Sequence, residues 1–209
     1  MNFKDLCHKH DTDKGNFDWF YENKFAPYRD KKLKILEIGV FYGHSLLMLD
    51  EYFGNSKIYG LDCDDLWRDE LKGKGITVFQ GMQSDIETLY RIYDEVGPLD
   101  IIIDDGSHLV EDIIGTYEFF KDKFKYLYII EDTSLTLYGR HYELLKKDSF
   151  SYLRNLAKKN NSSLLQNRDF YEQYWSGKLR ELDSGTAFPL KSITFYDNIV
   201  CIENDESLL

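Results

Sequence analysis

Short apolar runs alternate with longer segments of helical periodicity along most of the chain. The runs are rich in Ile, Leu, Val and Tyr, and we predict strands at 33–39, 57–62, 76–80, 100–105 and 126–131. Helices are predicted between them at 43–53, 85–95 and 110–122. The run at 100–105 holds three consecutive isoleucines, which is typical of a central strand buried on both faces. Strands that alternate with helices indicate βαβ units, and therefore a mostly parallel sheet with helices on both faces.

Two further apolar runs near the end of the sequence predict a closing β-hairpin. They lie at 192–196 and 199–203 and flank the pair Asp197-Asn198, which is typical of a short turn. The hairpin brings the predicted sheet to seven strands and adds an antiparallel strand at its C-terminal end.

Two segments fall outside the repeating pattern. Residues 1–30 are rich in Phe, Tyr and Trp, and we expect them to form an N-terminal cover segment. The stretch at about 133–190 is too long for a simple connection, so we expect a lid or substrate-binding insertion there, helical near 150–159. Residues 31–209 are then predicted to form one domain, with no room for a second catalytic domain.

Composition narrows the class of protein. With 26 basic and 37 acidic residues the net charge is -11, which argues against a nucleic-acid binder that relies on phosphate neutralisation. Cys7, Cys63 and Cys201 are far apart in sequence, which favours a reducing compartment over a disulfide framework. No secretory signal is visible, and no apolar run approaches the roughly 20 residues of a membrane span. We therefore expect a cytoplasmic protein with no membrane span.

The residues that follow the first three predicted strands point to a ligand that contains adenosine. Open α/β sheets bind ligands beyond the carboxyl ends of their strands. Gly39 and Gly43 let the backbone approach a ligand closely, although their spacing is not GxGxxG. Asp62 stands where an acid commonly accepts both ribose hydroxyls, and the alternative is a solvated turn aspartate. Residues 83–85 are suited to contact an adenine edge, and Ser84 is also predicted to cap the next helix.

Acidic residues and a histidine follow the fourth and fifth predicted strands. Asp104 and Asp105 face opposite sides of their strand, so one can meet a ligand while the other gives support. Adjacent parallel strands bring Asp105 close to Asp132, and the two carboxylates repel unless a cation or proton lies between them. Oxygen ligands favour Mg²⁺, Ca²⁺ or Mn²⁺. Histidine in general has an unperturbed pKa of about 6.5, so the residue type at position 108, His108, suits a general base. Together these groups are suited to activating a hydroxyl. A single Asp at a strand end is more often a turn or cap residue, and His108 alone is also compatible with a residue at the start of a helix.

Taken together, these segments resemble the class I S-adenosylmethionine-dependent methyltransferases. More narrowly, they are similar to the metal-dependent sugar O-methyltransferases of macrolide and polysaccharide pathways. The resemblance rests on the segments ILEIGVFYGHSLLML, YGLDCD, FQGMQSD, LDIIIDDGSH, YIIEDTS and SITFYDNIVCIE, and on an opening HDTDKG that is similar to an HGTDKG-type motif of that family. It implies a Rossmann-like α/β fold with a mostly parallel seven-stranded sheet.

The resemblance also implies a cofactor, a metal and a role for each matching residue. S-adenosyl-L-methionine is the implied cofactor, and the residues expected to bind it are Glu37, Gly39, Tyr42, Gly43, Ser45, Asp62, Cys63, Gln83, Ser84, Asp85 and Asp104. Mg²⁺ is the implied metal, with Asp105, Asp132 and Glu131 as its ligands. His108 is the implied catalytic base that deprotonates a sugar hydroxyl.

The expected partner is a small-molecule or glycan acceptor, and self-association stays open. Two departures from the family pattern bear on the acceptor: Met82 stands where an acid is usual, and Glu111-Asp112 stand where a second His is common. The alternatives are a methyltransferase for another polar acceptor, such as a phosphate-derived polysaccharide group or a small phenol, an NAD-type oxidoreductase, and a non-catalytic cofactor-binding scaffold. The absence of GxGxxG counts against the oxidoreductase.

Overall fold

The computed structural model describes residues 1–133, 190–196 and 198–205. Most of the predicted insertion at 133–190, including the helix expected near 150–159, lies outside them. So does Asp197 of the predicted turn.

The described strands form one seven-stranded sheet in the order β3-β2-β1-β4-β5-β7-β6. The strands are β1 Lys34–Ile38, β2 Lys57–Asp62, β3 Thr77–Gln80, β4 Leu99–Asp104, β5 Phe124–Ile130, β6 Leu190–Phe195 and β7 Val200–Asn204. β7 is antiparallel to both of its neighbours, and the other pairs are parallel. The predicted mostly parallel sheet with an antiparallel C-terminal strand is therefore confirmed, and the order reverses between β1 and β4, where such sheets bind ligands.

The described helices include the three that were predicted and two in the N-terminal segment. They are α1 Phe3–His10, α2 Asp18–Phe25, α3 His44–Phe53, α4 Ile86–Val96 and α5 Val110–Phe120, with short 3₁₀ turns at Asp13–Phe17 and Ala26–Tyr28. The prediction that Ser84 caps α4 was wrong, because the cap is Asp85, whose side chain accepts from the main-chain N–H of Glu87. Asp and Ser are both good caps, so sequence alone does not separate two such neighbours.

The sheet is buried on both faces. Along β4, Ile101 and Ile103 pack into one apolar core while Ile102 packs into the other. Side chains of α1, α2 and α3 fill the first core, and those of α4 and α5 fill the second. The N-terminal segment is thus part of the core that covers one face. Within the described residues, none of the helices combines the length and apolar character needed to cross a membrane.

Gly39 ends β1 because it brings the first loop against the backbone of another strand. Its φ of 87° lies in the left-handed region, which terminates the extended run one residue earlier than predicted. A Cβ at this position would lie 2.0 Å from the carbonyl oxygen of Asp105. Only glycine therefore allows the loop after β1 and the loop after β4 to touch at the carboxyl edge of the sheet.

Gly39→Ala is expected to destabilise the protein more than Gly73→Ala. Gly73 also has a positive φ, 74°, but open space where its Cβ would stand, so it isolates the cost of backbone strain. We expect that strain to cost about 1–2 kcal/mol, and the overlap at Gly39 to add about 1–3 kcal/mol. Urea unfolding of the two variants beside the wild type measures the difference. Equal losses would show that the contact between the loops tolerates a methyl group.

Candidate functional site

The carboxyl ends of β1, β4 and β5 are held together by main-chain hydrogen bonds that continue past the strands. The N–H of Asp105 donates to the carbonyl of Ile38 at 2.9 Å, and the N–H of Glu131 donates to the carbonyl of Asp104 at 2.9 Å. The acidic residues that follow the strands are therefore fixed relative to one another by the sheet itself.

Lys14, from the N-terminal segment, lies buried among three of these acids. Its Nζ is 2.9 Å from Oε1 of Glu37, 3.1 Å from Oδ2 of Asp105 and 2.5 Å from Oε1 of Glu131. Tyr21 of α2 donates its hydroxyl hydrogen to the same Oε1 of Glu131. Lys14 is 1% exposed and Glu37 is 0% exposed, so the segment and three strand ends are joined by a charge cluster whose central ammonium group is buried. We call Lys14, Glu37, Asp105 and Glu131 the Lys14 cluster.

The pKa values within the Lys14 cluster reflect burial and mutual charge. Burial lowers the pKa of Lys14, but the carboxylates of Asp105, Glu131 and Glu37 raise it more, so that it lies well above its usual value. Burial raises the pKa of Glu131 to about 7, against the opposing effect of Lys14. Burial also raises the pKa of Glu37. The ammonium group of Lys14 thus opposes the rise in carboxylate pKa that burial causes here.

Asp104 and Asp105 face opposite sides of the sheet, as the alternation of strand side chains predicts. Asp104 is buried and accepts from Nε2 of Gln83 at 3.1 Å and from the hydroxyl of Tyr128 at 3.1 Å. Burial raises its pKa to about 7. The structure therefore gives Asp104 a supporting position beneath the site, whereas its neighbour Asp105 is partly open to solvent.

Gln83 holds the turn that follows β4. Its side-chain oxygen accepts from the N–H of Ser107 at 2.7 Å, and its amide nitrogen donates to Asp104 and to the hydroxyl of Thr116. A Cβ at Gly106 would lie 2.0 Å from that oxygen, so the turn needs glycine there. Gln83 is buried and its side chain faces this turn. Its predicted contact with adenine stays a prediction.

Asp105, His108 and Asp132 are brought together at the carboxyl edge. One potential ligand atom from each lies within 4.8 Å of the others, and Nε2 of His108 is 4.0 Å from Oδ2 of Asp132. His108 has a φ of 56° and Asp132 a φ of 50°. Such left-handed conformations are costly for residues other than glycine and cluster at functional sites. The two carboxylates are the kind of oxygen donors that Mg²⁺ binds, and we call the three residues the cation group.

Glu131, which was predicted to bind the metal with Asp105 and Asp132, is engaged through one of its two oxygens. Its Oε1 accepts from Lys14 and Tyr21. These two donors do not engage Oε2 of Glu131. The predicted role of Glu131 as a metal ligand therefore depends on Oε2.

Asp62 lies at the end of β2 and holds the loop after β1. Its Oδ2 accepts from the N–H groups of Val40 at 2.6 Å and Phe41 at 2.8 Å, and its Oδ1 accepts from the N–H of Asp64 at 2.9 Å. Phe41 has a φ of 52° and is 64% exposed, so this contact supports a strained, open loop. The predicted contact with a ribose remains a prediction. It is compatible with these hydrogen bonds, because the carboxylate oxygens have further lone pairs for such a ligand.

The other residues predicted to bind the cofactor also lie at or near the carboxyl edge. Ser45 donates to Oε2 of Glu37 at 2.6 Å, and Gly43, with a φ of 90°, is the N-cap of α3. The ring of Tyr42 lies 4.1 Å from that of Phe41. The remaining members of the set are exposed: Cys63, Ser84 and Asp85. Their roles stay predictions.

Sequence reasoning missed Lys14, Tyr21 and Tyr128. Lys14 belongs to the HDTDKG segment, so that motif was the available signal for it. Tyr21 and Tyr128 carried no signal, because a tyrosine among apolar residues is typical of any core.

Known proteins with similar sequences are sugar O-methyltransferases. No family model matches the sequence. Mycinamicin VI 2''-O-methyltransferase from Micromonospora griseorubida is 40% identical over 120 residues, which are 52% of this chain and 29% of that protein. The 8-demethyl-8-alpha-L-rhamnosyl tetracenomycin-C 2'-O-methyltransferase from Streptomyces olivaceus is 32% identical over 139 residues, 61% of this chain and 36% of that protein. The chain thus spans about a third of the length of these curated relatives.

Solved structures agree with the sequence comparison. MycE methyltransferase of the mycinamycin biosynthetic pathway, in complex with Mg, SAH and mycinamycin VI, has a TM-score of 0.77 and 26% identity, and the match covers 98% of this chain and 54% of that one. The Podospora anserina methyltransferase PaMTH1 has a TM-score of 0.53 at 16% identity, over 93% of this chain and 80% of that one, which shows the fold alone.

Lys14→Met is expected to destabilise the protein by about 3–5 kcal/mol, because it leaves buried carboxylates without their counter-charge. Lys4→Met is the matched control, since Lys4 pairs with Asp18 at 3.0 Å while 59% of its side chain is exposed. We expect that change to cost under about 1 kcal/mol. Urea unfolding followed by circular dichroism measures both. A loss at Lys14 no larger than that at Lys4 would contradict the importance of the cluster.

Proposed function

We propose that this chain, which has the class I methyltransferase fold and is similar to macrolide-sugar O-methyltransferases, is a Mg²⁺-dependent O-methyltransferase that uses S-adenosylmethionine. The acceptor would be a hydroxyl of a sugar or sugar-linked molecule, in a natural product or a cell-surface polysaccharide. The observation that carries the proposal is the convergence of Asp105, His108 and Asp132 at the carboxyl edge. It is supported by the match of 98% of the chain to MycE in complex with Mg, SAH and a sugar-bearing substrate.

Asp105 and Asp132 are the residues that would hold the metal. Both offer carboxylate oxygens at the same edge of the sheet, and Glu131 would add Oε2. A bound Mg²⁺ supplies a Lewis acid that lowers the pKa of an acceptor hydroxyl. The Lys14 cluster serves this site by holding Asp105 through its Oδ2.

His108 would take the proton from the acceptor hydroxyl. Its imidazole is partly exposed, so a polar acceptor can reach it, and Nε2 lies 4.0 Å from Oδ2 of Asp132. A carboxylate at that distance balances the positive charge that the imidazole gains with the proton. His108 has a left-handed backbone conformation, two residues before α5 begins.

The loops after β1, β2 and β3 would hold the methyl donor. S-adenosylmethionine is already activated, so the chain has mainly to align its methyl group with the acceptor oxygen. Gly39 and Gly43 leave backbone room beside the loop that Asp62 supports. The hydrogen bond from Ser45 to Glu37 ties the start of α3 to β1. Because the donor is intracellular, we propose that the reaction takes place in the cytoplasm.

Calorimetric titration with S-adenosylhomocysteine, with and without Mg²⁺, tests the cofactor half of the proposal. We expect binding in both conditions, because the donor-binding loops are separate from the cation group. Absence of binding at high protein concentration would overturn the proposal. Screening of sugar, phosphate-derived and phenolic acceptors by mass spectrometry then distinguishes the acceptor classes.

His108→Asn is expected to lower turnover by about 10²–10⁴-fold while S-adenosylhomocysteine still binds, because a general base is lost. Asn tolerates the left-handed φ at this position, so the loop is expected to keep its shape. His8→Asn, on an exposed position of α1, is the control and should leave turnover unchanged. Unchanged turnover in His108→Asn would favour another base, and no turnover in the wild type with any acceptor would favour a non-catalytic scaffold.

A further inference from the structure

Asn198, in the turn between β6 and β7, contacts the cation group from outside it. Its side-chain amide donates to Oδ1 of Asp132, and its main-chain carbonyl accepts from the N–H of Thr133 at 3.2 Å. The turn therefore contacts two successive residues, Asp132 and Thr133, at the point where the chain leaves β5.

The turn that carries Asn198 is anchored on both sides. The N–H of Tyr196 donates to the carbonyl of Ile199 at 2.8 Å, and Ile199 is fully buried. The ring of Tyr196 packs against Phe20 at 4.8 Å and against Trp19 at 5.4 Å, both in α2. These contacts hold Tyr196 and Ile199 in place, and the two residues lie on either side of Asn198 in the sequence.

Asp132 needs such a partner. Its side chain is 37% exposed, and its backbone has a left-handed φ of 50°. A carboxylate this open to water turns freely unless a donor holds one of its oxygens. With Oδ1 held by Asn198, Oδ2 is directed toward His108. The amide of Asn198 is a neutral donor, so it holds Asp132 without adding a positive charge beside the cation group.

We infer that Asn198 is a positioning residue that orients Asp132 for a divalent cation. This inference rests on the proposed metal site, and it adds to that site a residue from the closing hairpin. The hairpin therefore contributes to cation binding, in addition to completing the sheet.

The test measures Mn²⁺ binding to the full chain by electron paramagnetic resonance of the free ion. Asn198→Leu keeps the size of the side chain but removes its donor, and we expect its affinity for Mn²⁺ to fall by about 10–100-fold. S-adenosylhomocysteine affinity should stay unchanged, and raised Mg²⁺ should restore turnover. Asn204→Leu is the matched control, because Asn204 is buried at the other end of β7 and donates to the carbonyl of Phe124 at 2.9 Å. It should lose stability but not Mn²⁺ affinity.

Each alternative result has a distinct meaning. Unchanged Mn²⁺ affinity in Asn198→Leu, or an equal fall in Asn204→Leu, overturns the role of Asn198 and leaves the proposed function standing. Absence of Mn²⁺ binding in the wild type overturns the metal site and this inference together, while S-adenosylhomocysteine binding still reports on the cofactor half. If the leucine variant does not fold, Asn198→Ser takes its place in the Mn²⁺-binding measurement, because serine suits a turn but is too short to reach Asp132.

Discussion

The arrangement of the site depends on one buried ammonium group. Lys14 is the point at which the N-terminal segment, β1, β4 and β5 meet, and its charge offsets carboxylates that burial would otherwise drive to the protonated form. A carboxylate that loses its charge loses its attraction for a cation as well. The contact that holds the fold together at this edge also holds Asp105, which belongs to both the Lys14 cluster and the cation group.

The two acids at the end of β4 are held by different residues on the two faces of the sheet. On one face, Gln83 and Tyr128 enclose Asp104 and hold the following turn. On the other face, Lys14 holds Asp105. One dipeptide thus supplies a buried supporting acid, Asp104, and a member of the cation group, Asp105, and the strand alternation separates the two positions. The loops can carry strained conformations at Phe41, His108 and Asp132 because the strands beneath them are fixed.

The strands and the edge at which the acids gather followed from local patterns. Runs such as 100–105 are apolar throughout, and parallel strands align their carboxyl ends, so Asp105 and Asp132 could be predicted as neighbours. What could not be predicted depends on contacts between distant residues. A lysine is ordinarily exposed, and the residues around Lys14 do not predict its contacts with carboxylates that follow 91 and 117 residues later. The direction of Gln83 was equally hidden, because it depends on where the turn at Gly106 lies.

The separation between Lys14 and its partners also bears on the order in which the protein can be completed. During synthesis Lys14 leaves the ribosome before Asp105 and Glu131, which follow it by 91 and 117 residues. Until Glu131 is available, the cluster lacks one of its acids. A nascent chain stopped before residue 131 therefore cannot complete the contacts that close this edge of the sheet.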